Sequence, residues 1–249
     1  QQASSQGARL CVLPENFAYF NGPDYALHAE NENSFDGPIG QFLSGHARKH
    51  KIWLVGGSIP CMPLRHEEAA NAKVYTTCTV WSPEGQLTAY YHKVHLFDVT
   101  LPNSDESYRE SDYFLPGDTP VYVDFEAFKL GLAICYDLRF PEYFRLLRDQ
   151  QVNVFAAPSA FTYRTGQAHW ETLLRARAIE NQSYVIAANQ CGTHENGRKT
   201  WGHSCIIDPW GTVISSLDAD DEGITMAEIN SAYIQEIRCK LPTHEHRVF

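Results

Sequence analysis

The sequence has little of what would mark a membrane protein, a nucleic-acid binder or a disulfide-stapled domain. No apolar run approaches the roughly 18 uninterrupted residues that cross a bilayer, and no charged-then-apolar leader stands at residue 1. Positive charge is scarce: 20 Lys plus Arg face 30 Asp plus Glu, a net charge of −10, whereas phosphate backbones call for clustered basic residues. The cysteines are Cys11, Cys61, Cys78, Cys135, Cys191, Cys205 and Cys239, an odd set with no C-x-x-C pair. That excludes a disulfide framework and a zinc ribbon as simple readings and fits a reducing compartment. Low-complexity tracts, linkers and breaks in composition are also missing. The expectation is a soluble, cytoplasmic protein with one domain over 1–249 and no nucleic-acid or membrane partner.

What the chain does have is apolar and aromatic residues enough for one substantial core: 43% hydrophobic, with 13 Tyr, 13 Phe and 5 Trp. Residues 1–8 read as a helix stopped near Gly7, and "RLCVLP" as a short buried strand. "PIGQFLSGHARKHK" (38–51) reads as a helix opened by Pro38, followed by a strand over 52–57. "AKVYTTCTVW" and "QLTAYYHK" flank the turn "SPEG", and "CIID" and "TVISSL" flank "PWG", so each pair predicts a hairpin. The short apolar runs in "FKLGLAIC", "VNVFAAPS" and "SYVIAANQ" suit strands covered on both faces. A helix is expected over 166–182, with Trp170, Leu173, Leu174 and Ala178 on one face. Strands alternating with helices predict an α/β fold whose helices cover the sheets.

Three stretches carry candidate chemistry. In "GLAICYDLRFPE", Cys135 ends an apolar run and Pro141 opens a helix. This puts Cys135 at the carboxyl end of a strand, where α/β folds bind ligands, with the Tyr136 N–H as an oxyanion donor. A buried structural cysteine is the competing reading. In "CVLPENF", Glu15 follows a strand and a proline, and burial there would lift a carboxylate toward general-base range; a solvated loop glutamate is the alternative. In "AYYHKVHLF", Lys93 sits among aromatic and aliphatic residues, either guarding a strand edge or held in a pocket beside a thiolate. His92 and His95 invite a metal, but no carboxylate or cysteine joins them at ligand spacing, so none is expected.

Together "LPENF", "YYHKVHLF" and "GLAICYDLRFPE" resemble the nitrilase superfamily of carbon–nitrogen hydrolases, in the order Glu, Lys, Cys. "RESDYFLPGD", "PSAFT", "TGQAHWETLLRARAIENQSYVIAANQCG" and "WGHSCIIDPWGTV" extend the likeness to the family's Nit branch, from Gly7 to Phe249. The resemblance implies a four-layer α-β-β-α sandwich that pairs into homodimers or larger homo-oligomers. It implies Glu15, Lys93 and Cys135 as a catalytic triad, Glu110 as a supporting glutamate (Glu106 being the weaker choice), and no cofactor. It also implies that the family's first strand is absent from this sequence, which would expose a sheet edge. Gln167 stands where many Nit relatives carry proline, and is expected to start a helix near the site.

The same motifs resemble the branch that hydrolyses deaminated glutathione, in which 2-oxoglutarate is amide-linked to Cys-Gly, more closely than the omega-amidases acting on 2-oxoglutaramate or 2-oxosuccinamate. An acidic amide needs a carboxylate clamp, for which Arg139 is the first candidate and Arg164 and Arg175 weaker ones. Arg139 ion-paired with Asp137 or Glu142 is the structural alternative. Phe161 and Thr162 of "PSAFT" are further candidate substrate contacts. Two other classes stand against this reading: a Cys-His hydrolase using His169 or His203, and a non-catalytic scaffold.

Overall fold

The computed structural model describes residues 1–20, 24–32, 35–63, 73–102, 106–195, 197–219 and 222–248. It contains two six-stranded mixed sheets, face to face, with helices on both outer sides. A short helix α1 (Gln2–Ser5) leads into β1 (Leu10–Val12), which pairs in parallel with β2 (Trp53–Val55). The long β4 (Val74–Trp81) is the spine of this first sheet. One of its edges takes β2 and then β3 (Ile59–Cys61); the other takes β5 (Leu87–His92) and then β8 (Phe114–Leu115). The second sheet runs β16 (Val213–Ser216), β15 (Cys205–Ile207), β12 (Tyr184–Ala187), β11 (Val154–Ala156), β10 (Phe128–Leu132) and β9 (Tyr122–Phe125).

Strand periodicity explains how the layers divide. Val55, Cys78, Val80 and Tyr91 turn inward and join Leu130, Leu132 and Val185 of the second sheet in one buried cluster. Their neighbours Leu54 and Trp81 turn outward, onto Leu43 and Ala47 of α3 (Pro38–His50). α3 has Pro38 in its first turn, and the buried Glu32 carboxylate accepts from the N–H groups of Ile39 (2.6 Å) and Gly40 (2.9 Å), satisfying donors that a helix start leaves orphaned. α2 (Tyr25–Asn31) lies against β3. On the opposite side α4 (Pro141–Asp149) packs against α5 (Tyr163–Asn181), whose Trp170, Leu174 and Ala178 enter the main core. α6 (Ser231–Lys240) is capped by Asn230 and adds Ile234 to that core.

Both predicted hairpins form, β4–β5 and β15–β16; Ala72, at the start of the first, lies outside the described residues. Two expectations are corrected. The strand before Cys135 stops at Leu132, because the chain turns at Cys135 (φ +46°) into a short 3-10 turn, Cys135–Arg139. The helix expected over 166–182 begins at Tyr163, capped by Thr162, whose hydroxyl accepts from the Thr165 N–H; Gln167 is inside the helix and exposed. β1 ends its sheet, and its outer edge borders a groove of about 710 Å3 lined by Leu10, Val12, Phe125, Ile186 and Ile229. Cys135 is not in that groove.

One glycine holds the β1 end in place. Gly57 has φ +57°, and a Cβ there would meet the Pro14 carbonyl oxygen at 2.1 Å, one residue before Glu15. Gly57→Ala is expected to cost at least about 2 kcal/mol through backbone strain and the displaced Pro14–Glu15 loop, read as a lower urea midpoint. An unchanged midpoint would mean that this close approach does not hold the loop.

Candidate active site

Four separate stretches of chain converge at the edge shared by the two sheets. Beyond β1 the Leu13 N–H still pairs with Val55, and the chain then turns so that the Glu15 side chain is buried. Its backbone is tied to both sheets: the Asn16 N–H donates to Ser58 Oγ (2.9 Å), and Gln190 Nε2 donates to the Glu15 carbonyl (3.0 Å). Lys93 follows β5, its N–H donating to Thr76 and its carbonyl accepting from Gly117. Its side chain has no exposed surface. The ammonium donates to Glu15 Oε1 at 2.8 Å and to both oxygens of Glu110 at 2.9 Å. Lys93 is therefore held in a pocket and not at a solvent-facing edge. Glu110 comes from a 3-10 turn (Glu110–Asp112) after β7 (Ser107–Arg109), and the Phe97 N–H fixes its second oxygen at 2.7 Å. Glu106 instead accepts from the exposed Tyr108 hydroxyl.

Cys135 is the fourth member, buried and in the left-handed backbone region that disfavours side chains other than glycine, asparagine and aspartate. Its N–H donates to the Pro158 carbonyl (2.9 Å), and the Asp137 N–H to the Ile134 carbonyl. The Tyr136 N–H between them donates to no carbonyl among the described residues. The Cys135 side chain lines one cavity with Glu15 and Ala160. Asp137, which the sequence offers as an ion partner for Arg139, does something else. Wholly buried, it accepts from the Ile134 N–H (2.7 Å) and the Tyr91 hydroxyl (2.8 Å) with one oxygen, and meets His95 with the other (N–H 3.2 Å, Nδ1 2.7 Å). One carboxylate thus fastens the Cys135 turn of the second sheet to the strand end of the first sheet that carries Lys93.

The electrostatics are those of a charged cluster removed from water. Burial raises the Glu15 carboxyl above its ordinary value; Lys93 opposes this and Glu110 reinforces it. Burial also pulls on Lys93, but Glu110 and Glu15 outweigh it and hold the ammonium well above the usual lysine range. The Cys135 thiol is pushed well up, first by burial and then by Glu15, against Lys93 and the Ala160 N–H. The resting group is therefore a thiol with an acceptor beside it, not a standing thiolate.

A narrow cavity opens onto this cluster, lined by Glu15, Glu110, Cys135, Tyr136, Arg139, Phe161, Thr162 and Arg198. Of the first-choice candidates named from sequence, Glu15, Glu110, Cys135, Tyr136, Arg139, Phe161 and Thr162 line it, and Lys93 is buried beneath its two glutamates. Arg139 pairs with neither Asp137 nor Glu142; its guanidinium lies over the Tyr136 and Phe161 rings (5.8 and 5.4 Å) and meets His169 at 3.3 Å. Arg164 is exposed, and Arg175 bonds Gly211 and Glu171 away from the cavity. Gln167 does not line it either. His169 is exposed, and His203 bonds the Trp201 carbonyl, so neither is placed as a base for Cys135. His92 meets Thr77 and His95 meets Asp137; among the described residues no three His, Cys, Asp or Glu gather to hold a metal. Sequence reading missed Asp137's role and Arg198. The signal for Arg198 was weak: one arginine in "HENGRKTW", between β13 (Cys191–Thr193) and β14 (Lys199–Trp201).

Comparison with known proteins agrees with this geometry. The carbon-nitrogen hydrolase family model matches residues 1–239. A deaminated glutathione amidase of Synechocystis sp. is 42% identical over 249 residues, 99% of this chain and 89% of that protein. Omega-amidase NIT2 of Danio rerio is 36% identical, over 99% of this chain and 85% of its own length. The crystal structure of Saccharomyces cerevisiae Nit3, described as a member of branch 10 of the nitrilase superfamily, superposes with a TM-score of 0.86 at 32% identity, covering 100% of this chain and 87% of that one. A four-layer sandwich with a buried Glu, Lys and Cys at one sheet edge, matched along nearly its whole length, belongs to the carbon–nitrogen hydrolase family.

Proposed function

We propose that the chain is one domain and an amidase that cleaves a small acidic amide through a thioester on Cys135, with deaminated glutathione as substrate. The observation that carries this is the buried Glu15–Lys93 ion pair, with Glu15 and Cys135 lining the same cavity. The amidase names of relatives at about 40% identity support the substrate. Glu15 takes the thiol proton as the sulfur attacks the amide carbonyl. The Lys93 ammonium and the Tyr136 N–H meet the oxyanion. Glu15 then protonates the leaving amine and afterwards draws a proton from the water that hydrolyses the thioester. Glu110 holds Lys93 in position, and Arg139 clamps the carboxylate of the acyl group, with Phe161 and Thr162 shaping the wall beside it. No cofactor enters these steps. The second reading, an omega-amidase acting on 2-oxoglutaramate or 2-oxosuccinamate, draws on the zebrafish relative. Seven free cysteines suit a reducing cytoplasm, and no helix among the described residues is long and apolar enough to cross a membrane.

The test is release of 2-oxoglutarate from deaminated glutathione. Cys135→Ala is expected to abolish it, and Glu15→Gln to lower kcat about 10²- to 10⁴-fold, the usual worth of a general base. Equal rates in wild type and Cys135→Ala would reject the mechanism. Preference for 2-oxoglutaramate would move the assignment to omega-amidase.

The pH dependence has a defined sign. The base form of Glu15 is the active one and burial raises its pKa, so kcat/KM should fall on acidification at an apparent pKa above the ordinary 4.5. An acid limb at or below 4.5 would exclude Glu15 as the titrating base.

Pairing of two copies is part of the same proposal. Leu146 on α4 (56% exposed) and Ile179 on α5 (49%) present apolar surface on adjoining helices, and Trp210 (61%) stands in the β15–β16 turn, whose Gly211 packs on Ile179. Leu146→Glu with Ile179→Glu should convert a dimer to monomer in sedimentation velocity; an unchanged sedimentation coefficient would place the contact elsewhere.

A further inference from the structure

The cavity wall carries two arginines, and a simple ω-amide uses one. Its acyl group is short, so the carboxylate must be met close to the attacked carbonyl. Arg139 is so placed, four residues from Cys135 on the same 3-10 turn. Arg198 comes from a different part of the chain. It precedes β14, in a turn whose neighbours Gly197 and Lys199 are exposed, and it lines the same cavity.

Among the described residues, a hydrogen bond and two rings help to fix its position. Nη2 donates to the carbonyl of Ala160 (3.2 Å), which lines the cavity together with Cys135. The guanidinium lies over the rings of Phe20 (5.0 Å) and Tyr108 (4.8 Å). From Tyr108 a row of rings runs through Phe97 (5.2 Å) to Tyr136 (5.1 Å), and Arg139 lies over the far end. The two guanidiniums therefore stand at opposite ends of an aromatic wall, with the nucleophile turn beside Arg139. Ring stacking orients a planar guanidinium without discharging it.

Charge points the same way. Glu15, Glu110 and Lys93 carry a net negative charge when both carboxylates are ionised, which repels an acidic substrate. One arginine offsets that charge; the second leaves the cavity positive.

We propose that Arg198 binds a carboxylate carried by the leaving amine, so that the site selects amides that are acidic on both sides of the scissile bond. This rests on the amidase reading above. It assigns the acyl carboxylate to Arg139 and the departing one to Arg198, on the turn before β14.

The test compares two substrates with the same acyl group: 2-oxoglutarate amide-linked to Cys-Gly, and to cysteinylglycinamide, which lacks the terminal carboxylate. Wild type should show a KM about 10- to 100-fold lower for the acid, the worth of one charge-assisted pair. Arg198→Ala should raise KM for the acid by that factor, leave the glycinamide within about twofold, and keep kcat within about threefold on both. Arg198→Lys should restore part of the acid preference. Equal loss on both substrates would overturn the proposal, because it would mean that Arg198 acts only by bracing Ala160. No change on either would overturn it as well. Failure of wild type to cleave both substrates would instead reject the amidase reading, and this inference with it.

Discussion

A lysine ammonium with no exposed surface governs this molecule. Burying an unpaired charge costs several kcal/mol, so Lys93 obliges the fold to deliver two carboxylates to one point. Glu15 arrives from the end of β1 and Glu110 from a turn after β7. Each is braced by its own backbone contacts, since a loose partner would leave the ammonium uncompensated. The same cluster sets the state of the sulfur. Burial, and after it the negative charge of Glu15, keeps Cys135 a thiol, so in the proposed mechanism attack and proton transfer to Glu15 are coupled.

The second constraint is the joint between the sheets. Glu15 and Lys93 belong to the first sheet and Cys135 to the second, so the cluster exists only if the sheets keep their register. Asp137 does this at the strand ends, joining the Ile134 N–H to Tyr91 and His95. Gln190 repeats it from the other side by holding the Glu15 carbonyl. Both ties are short polar contacts at the rim of a large apolar interface. The interface supplies cohesion without direction; the rim contacts supply the alignment.

What could be read in the sequence follows the range of the physics involved. Strand alternation and Pro-x-Gly turns are local signals, and the two hairpins and the helices at Pro38 and Pro141 were legible from them. Glu15, Lys93 and Cys135 were legible because each sits in an apolar context that is odd for its chemistry. The left-handed backbone at Cys135 left no such trace, because neighbours impose it: the Pro158 carbonyl and the Asp137 carboxylate hold the turn from either side. Asp137 looked like a surface ion partner because its four donors are scattered over residues 91 to 134. The start of α5 was misread because Thr162, its cap, also belongs to the "PSAFT" run. Arg198 was hidden in a polar hairpin turn, and only the packing of Phe20 and Tyr108 sets it against the cavity.

The positive φ at Cys135 has a consequence for descent. The turn is held against the preference of a β-carbon-bearing residue, so position 135 is occupied by a side chain the backbone would not choose. Glycine and asparagine enter that region at less cost. A lineage released from selection for the chemistry would have two reasons to lose the cysteine, the idle nucleophile and the relaxed turn. Substitution there should come early in decay, before the Lys93 cluster, whose removal would leave a buried charge unmatched.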